Sequence, residues 1–366
     1  MNAHELDLAM RFGEKSPLEA RASDDLGRFG LGLKTASFSQ CRCLTVASKA
    51  GGGIDCLRWD LDLLLASDSD GWLLLEGPAE GSAEKLDVLE TREKGTLVLW
   101  ERLDRIITAG YREQDFLDLI DRVERHLAMV FHRFIAGTRP RLRLCINGRQ
   151  VSPWDPFLIG HPATWTSPVE RIQTDHGAVV VQCHVLPHKD RLDPSEHESG
   201  GGLDGWTSQQ GFYVYRNERL LVAGSWLGLG RGRSWTKEES FRLARIRLDI
   251  PNTADASWKI DIRKSKARPP VSIRERLTKL AEDTRKRARS VFAHRGQPAR
   301  QQATPVIQAW RAEHFREGVR YRIDHEHPAV RQMLDDPMLD QKLFQAMLRV
   351  IEETVPVQRI WLDTAE

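Results

Sequence analysis

Gly27, Gly30 and Gly32 stand directly before a helix-compatible run, Leu33-Lys34-Thr35-Ala36-Ser37. Glycine lets a backbone adopt positive φ and lets a ligand approach closely. The first N–H groups of a following helix, with the positive end of its dipole behind them, then face the loop. Such a loop either binds phosphate or makes an ordinary turn, and both readings are open at this point. Two familiar phosphate loops do not fit. A P-loop needs Lys immediately after its last glycine, but Leu33 holds that place and Lys34 comes one residue late. The dinucleotide fingerprint needs a preceding buried strand, whereas residues 17–26 are polar and acidic.

The flanking pattern is that of an α+β chain. Residues 2–12 read as a short helix with Asn2 as cap, Glu5 completing a capping box, and Leu6, Ala9 and Met10 on one face. Residues 13–26 read as a loop, and 33–40 as a helix. Strands are expected at Cys43–Ser48, Ile54–Leu61, Trp72–Leu75 and Gly95–Trp100, with Gly51-Gly52-Gly53 as the first turn. Hairpin spacing makes this sheet antiparallel, unlike a strand–helix alternation. Apolar residues from Phe116 to Phe134 recur at three and four, which predicts one long helix over 112–136. Its His126 and His132 lack metal-pair spacing and are read as core or solvated histidines. An alternating run at 141–151, with an Asn-Gly turn, opens a second domain. Further strands are expected at Val179–Val185, Gly211–Val222 and Arg245–Ile250. The charged, glycine-rich stretch 187–210 reads as a disordered excursion. Pro269-Pro270 starts a helix over 271–293 with Leu277, Leu280, Ala281, Thr284, Ala288 and Val291 as its buried stripe. Residues 296–305 read as a linker. Beyond it come a basic patch to Arg322 and two short helices broken at Asp336-Pro337.

The words Gly-Arg-Phe-Gly-Leu-Gly-Leu-Lys-Thr-Ala-Ser resemble the phosphate-and-lid motif of the GHKL ATPases (gyrase B, Hsp90, histidine kinases, MutL), nearest the Hsp90, MutL and MORC branches. Gly95-Thr96 resembles the Gly-Thr of a late strand in that superfamily. Tyr213-Val-Tyr-Arg-Asn-Glu-Arg-Leu-Leu resembles a strand pair in the second, ribosomal protein S5-like domain of MORC-like members, the transducer. The resemblance implies an incomplete Bergerat α/β sandwich over 1–140, an S5-like transducer over 141–295 and a helical tail over 296–366. It also implies ATP and Mg²⁺ as ligands. Gly27, Arg28, Phe29, Gly30, Leu31, Gly32 and Leu33 would wrap the triphosphate, with Lys34 and Thr35 beside the phosphates and Thr96 helping to bind adenine. Lys264, with Lys266 next, would be the transducer cation that reaches the γ-phosphate, where it stabilises charge in phosphoryl transfer.

The superfamily places a helix carrying a catalytic Glu and a Mg²⁺-binding Asn, and then an adenine-reading Asp, ahead of the lid. Met1 matches the last residue of that Asp-bearing motif, so the resemblance begins mid-domain. The expectation is a truncated chain with very weak hydrolysis on its own, and with an apolar face and a sheet edge left uncovered. An interaction module that binds protein or DNA without turnover is the alternative. A histidine kinase is disfavoured, because no dimerisation helix with a phospho-acceptor His is present.

Charge and cysteine usage narrow the setting. The formal net charge is +2, yet residues 259–295 carry 13 Lys/Arg against 4 Asp/Glu, which leaves about −7 on the rest. That asymmetry suits either a solvated helix face or contact with a DNA backbone. No aromatics interleave with these charges as base-stacking platforms would. The five scattered cysteines fit neither a zinc site nor a disulfide framework. No apolar run reaches about 18 residues, so a cytoplasmic protein is expected, a homodimer with further protein partners by resemblance.

Overall fold

The computed structural model describes residues 1–12, 32–66, 71, 73–137, 140–254, 257–259, 267–293, 309–315 and 318–354. The protein is a mixture of α and β structure, as its patterning implies. Helix α1 (Ala3–Met10) carries the expected capping box: Glu5 N–H donates to the Asn2 side chain and Asn2 N–H to the Glu5 carboxylate, both at 2.9 Å. Helix α2 (Gly32–Phe38), strands β1 (Cys43–Lys49) and β2 (Ile54–Asp60), helix α3 (Leu61–Ala66), strand β3 (Leu75–Glu76) and strand β4 (Gly95–Glu101) follow. The strands form one antiparallel sheet in the order β3-β2-β1-β4. The strand expected from Trp72 shrinks to Leu75–Glu76, and Trp72 itself lies outside the described residues.

Alternation sorts this sheet's side chains by face. Leu44, Val46, Leu57 and Trp59 meet Leu6 and Met10 of α1 on one side. Ala47, Cys56 and Leu97 meet Leu86 and Leu89, from a 3₁₀ turn at Ala83–Leu89, on the other. The helices lie over β1 and β2. Val98 and Trp100 of β4, paired in register with Val46 and Leu44, remain 45% and 40% exposed on the helix-bearing face. Among the described residues β4 pairs with β1 alone, so an apolar strip and a sheet edge lie open together.

The single helix expected over 112–136 is two. Helix α4 (Glu113–Val130) stops at Phe131, whose φ of −108° and ψ of 13° leave the helical region, and α5 (His132–Ile135) restarts. The tertiary reason is visible beyond the break. His132 Nε2 lies 2.8 Å from the Tyr215 hydroxyl, and the Arg133 guanidinium sits 3.4 Å from the Tyr215 ring centroid and pairs with Asp249. Strands β5 (Cys145–Ile146) and β6 (Arg149–Gln150) make a small hairpin through Asn147 and Gly148, both at positive φ as a tight hairpin turn requires.

The larger sheet comprises β7 (Trp165–Thr166), β8 (Glu170–Thr174), β9 (Gly177–Val185), β10 (Gly211–Arg216), β11 (Arg219–Ser225) and β12 (Ala244–Ile250). Its order is β11-β10-β12-β9-β7, with β8 also on β9; only β10 and β12 run parallel. Between β9 and β10 the chain forms α6 (Pro194–Gly201) and α7 (Gly205–Ser208), not the disordered excursion expected from its charge and glycines. The glycines serve close packing. A Cβ on Gly200 would meet the Trp206 indole at 2.7 Å, and one on Gly202 the Trp154 indole at 2.6 Å. Helix α8 (Val271–Ala293) buries Ile273, Leu277, Ala281 and Ala288 against Val181, Cys183, Phe212 and Ile246 of the sheet. Leu277, Ala281, Thr284 and Ala288 of the expected stripe are buried, Leu280 and Val291 pack partly buried beside them, and Arg285 joins them unexpectedly.

The tail expected to be helical opens on a hairpin, β13 (Trp310–Phe315) with β14 (Gly318–Ile323). A period of two in Val319, Tyr321 and Ile323 lies among the basic residues of this stretch. The two short helices follow as expected: α9 (Pro328–Leu334) and α10 (Gln341–Thr354), with Glu352 accepting from Ile323 N–H at 2.8 Å. Among the described residues no helix is long and apolar enough to cross a membrane.

Candidate functional site

The glycine-loop helix and the Gly-Thr strand meet the two ends of α1. At its start, the Met1 amine donates to Ser48 Oγ at 2.8 Å. Ser48 Oγ also lies 2.9 Å from Thr96 Oγ1 and 3.2 Å from the Gly95 carbonyl oxygen. This cluster follows from register: Ser48 and Thr96 are directly opposed on β1 and β4. Ser48 is fully buried, whereas Thr96 is exposed and lines a cleft of ≈ 460 Å³ with Arg92, Lys94 and Gly95. The hydroxyl pair thus offers a polar contact on a strand face whose neighbours Val98 and Trp100 are apolar.

At the other end of α1, Lys34 is 3% exposed. Its ammonium donates to the Ala9 and Arg11 carbonyls at 2.8 and 2.7 Å and sits 5.7 Å from the Phe12 ring centroid. Trp59 Nε1 donates to the Met10 carbonyl at 2.9 Å. Carbonyls at the end of α1 that lack helical partners are therefore capped by side chains, and the cation complements the negative end of the helix. Burial lowers the Lys34 pKa below the ordinary lysine value. Replacing Lys34 by Met should destabilise the fold by about 1–3 kcal/mol, because two helix-end carbonyls lose their donor. A urea titration of the variant measures it.

The described part of the glycine loop is Gly32 to Ser37. Gly32 opens α2 and is exposed. A Cβ there would meet nothing within 4 Å, and its φ is not positive. Among the described residues, neither crowding nor backbone conformation demands glycine at this position. Leu33 packs partly buried against the core under α1, and Thr35 is exposed in the first turn of α2. Gly27, Arg28, Phe29, Gly30 and Leu31 lie outside the described residues, as do Lys264 and Lys266.

Burial disfavours the thiolate at the two nearby cysteines. Burial and the Cys43 neighbour push Cys41 up to about 11, and burial raises Cys43 as well. Asp60, 4% exposed, receives Arg102 at 2.7 Å and accepts from the N–H groups of Asp62 and Leu63 at the start of α3. Burial opposes its ionisation, but these hydrogen bonds win and hold its carboxyl below the usual range. Among the described residues no group of three His, Cys, Asp or Glu side chains could hold a metal ion.

Thus the fold brings Thr96, Met1 and Ser48 together at one end of α1, and Lys34 with Gly32 and Thr35 at the other, roughly 12 Å away at ~1.5 Å per residue. Ser48 was not legible beforehand, since only strand register places it against Thr96. Likewise, the capping role of Lys34 depends on where α1 ends in space.

Residues 1–96 match the family model described as histidine kinase-, DNA gyrase B-, and HSP90-like ATPase, which supports the superfamily resemblance carried by the glycine loop. No curated protein matches the chain. Two solved structures are among those it is similar to. One is the ATPase region of Saccharomyces cerevisiae topoisomerase II, at 12% identity over 74% of this chain and 67% of that one, with a TM-score of 0.35. The other is the 43K ATPase domain of Thermus thermophilus gyrase B in complex with an aminocoumarin, at 14% identity over 70% and 68%, with a TM-score of 0.26.

Proposed function

We propose that this chain binds ATP in the manner of the GHKL superfamily, and that it belongs to an Hsp90/MutL/MORC-like ATP-gated switch. The observation that carries the reading is the pairing of the Thr96 and Ser48 hydroxyls beside Met1, within the segment that matches the ATPase family. In this reading the adenine end lies at Thr96. The phosphate end lies at the loop from Gly27 to Leu33, with Lys34 and Thr35 beside it. The unforced glycine at position 32 supports close approach of a ligand to the backbone. The larger sheet backed by α8 would act as the S5-like transducer over 141–295, sending Lys264 to the γ-phosphate. Bound Mg²⁺ would supply charge neutralisation on the phosphates. ATP-dependent dimerisation and a role in DNA maintenance or phage defence are the broader expectations from the resemblance.

A calorimetric titration of Mg-ATP tests this, using Gly32→Ala and Thr96→Val. Alanine at position 32 should stabilise the fold by about 0.4–1 kcal/mol, since the backbone there is not left-handed and alanine gives the unfolded chain less freedom to lose. The same change should weaken nucleotide binding by crowding the phosphates. Loss of the Thr96 hydroxyl should weaken binding about tenfold, the worth of one hydrogen bond. Nucleotide binding unchanged in both variants overturns the reading. An interaction module without turnover would then stand, a reading favoured by Lys34, whose ammonium already serves the Ala9 and Arg11 carbonyls.

A further inference from the structure

The basic helix α8 is accompanied by aromatic side chains that come from a distant stretch of sequence. Between α8 and the loop following β11 lies a cleft of ≈ 400 Å³, lined by Arg231, Trp235, Phe241, Arg285, Lys286 and Arg289, with Glu282 as its one carboxylate. Arg231 and Glu282 pair across it at 2.6 Å. Lys286 and Arg289 are exposed. Arg285 is 8% exposed and stacks on three rings, with its guanidinium 3.8 Å from the Phe241 centroid, 4.7 Å from Trp235 and 4.8 Å from Trp226. Among the described residues its Nη1 has no hydrogen-bond partner, and its nearest carboxylate, Glu238, is 3.6 Å from the other Nη. The cation is therefore held in place by aromatic faces and is only partly neutralised.

A second cleft of ≈ 860 Å³ continues along the same helix, sharing Arg231 and adding Arg274, Arg276 and Lys279 against Glu275. Residues 274, 278, 282, 285, 286 and 289 recur at three and four, so they form one stripe along a helix of 23 residues, roughly 34 Å long. Across both clefts seven cations meet two lining carboxylates, and Arg276 also pairs with Glu170 at 2.6 Å, which leaves the groove with a clear excess of positive charge. Charge of that sign along a groove tracks a phosphodiester backbone, and a half-buried indole within it gives a base a face to stack on.

We propose that this groove binds single-stranded nucleic acid, with phosphates on Arg231, Lys286 and Arg289 and a base against Trp235. The Arg231–Glu282 pair would open to admit the strand. The site is separate from the one at α1 and does not depend on ATP binding there.

The test is fluorescence anisotropy of a labelled 20-nucleotide oligo-dT with the full chain, at about 50 and 200 mM salt. Binding should weaken steeply with salt, because each phosphate contact releases a counterion. The double variant Lys286→Glu/Arg289→Glu, on the exposed side of α8, should lose at least about tenfold in affinity and flatten the salt dependence. Trp235→Ala should lose on the order of tenfold for oligo-dT and little for a duplex of equal length. Melting curves of each variant check that the fold survives; if Trp235→Ala does not fold, Trp235→Leu takes its place. Unchanged oligo-dT affinity in the double variant overturns the proposal. So does tighter binding of the duplex, which would mean a backbone-only surface, and so does full competition by millimolar inorganic phosphate, which would mean a small-anion site. Calorimetry of Mg-ATP should be unaffected by the double variant, so failure here and failure of the ATP reading are told apart.

Discussion

Lowering the pH from 7 to about 4.5 should cost the fold on the order of 5 kcal/mol, through two buried histidines. Burial and then the neighbouring Arg133 bring His132 down to about 3; burial and then Arg247 bring His184 down to about 4. Both are almost wholly enclosed, at 6% and 0% exposure. His132 shares a hydrogen bond with the Tyr215 hydroxyl, and His184 Nδ1 lies 3.1 Å from Thr166 Oγ1. No carboxylate contributes to either shift. In the unfolded chain each imidazole takes up a proton near pH 6.5, while in the fold both stay neutral. The unfolded state therefore binds more protons in this window, and stability rises with pH. The contribution is complete above about pH 6.5. It is lost at roughly 1.4 kcal/mol per pH unit per histidine as pH falls, until the folded values are reached. Set against a typical total of about 5–15 kcal/mol, the effect is large. Urea titrations at pH 7, 5.5 and 4.5 measure it, and His132→Gln with His184→Gln should flatten the slope while keeping a polar partner for Tyr215 and Thr166. An unchanged slope in the double variant rules this origin out. Glu101 and Asp60, both held below the usual carboxylate range despite burial, the first by Lys85 and Ser82 and the second by Arg102, act in a separate window below about pH 4.

Arg245→Ala should be the other severe change, at about 3–5 kcal/mol. Arg245 is completely buried, with Nη1 donating to the Pro156 carbonyl and the Tyr213 hydroxyl, each at 3.0 Å, and Nη2 to the Gly200 carbonyl at 3.1 Å. Its guanidinium is surrounded by Trp206, Tyr213 and Trp154 rings, 5.7 to 6.0 Å from their centroids. Alanine would leave a cavity among three aromatic rings and two carbonyls without a donor. Arg245→Met fills most of that volume and removes the cost of a buried charge, so it should be milder than alanine. The distinctive readout is local. Gly200 lies in the last turn of α6, so both variants should expose α6 and α7 to proteolysis before the rest of the sheet opens. If cleavage there is no faster than in the parent chain, Arg245 does not anchor this segment.

These two arrangements mark where patterning stopped being informative. His132 lies on an apolar stripe that reads as uninterrupted helix, yet the chain breaks at Phe131 because Tyr215, more than eighty residues away, holds His132 and Arg133. Glycines at 200–202 read as disorder, but two indoles lie where their side chains would be. The cleft on α8 shows the same limit. Its charges are contiguous in sequence, while Trp235 and Phe241 arrive from the loop after β11, so a search for aromatics among the charges could not find them.

Patterning along the chain carries what near neighbours decide. It specified the capping box on α1, the antiparallel strands from Cys43 to Glu101, the Asn147-Gly148 turn, the buried stripe of α8 and the glycine loop with its superfamily wording. Each depends on hydrogen bonds or periodicities spanning a few residues. Long-range packing, by contrast, sets Ser48 against Thr96, makes Lys34 the cap of α1, holds Arg245 beneath a glycine run and stacks Arg285 on three rings. These pairings join residues whose separation in the sequence carries no periodic signal. Their energy comes from burying polar groups with partners, and the partners exist only once the chain has folded.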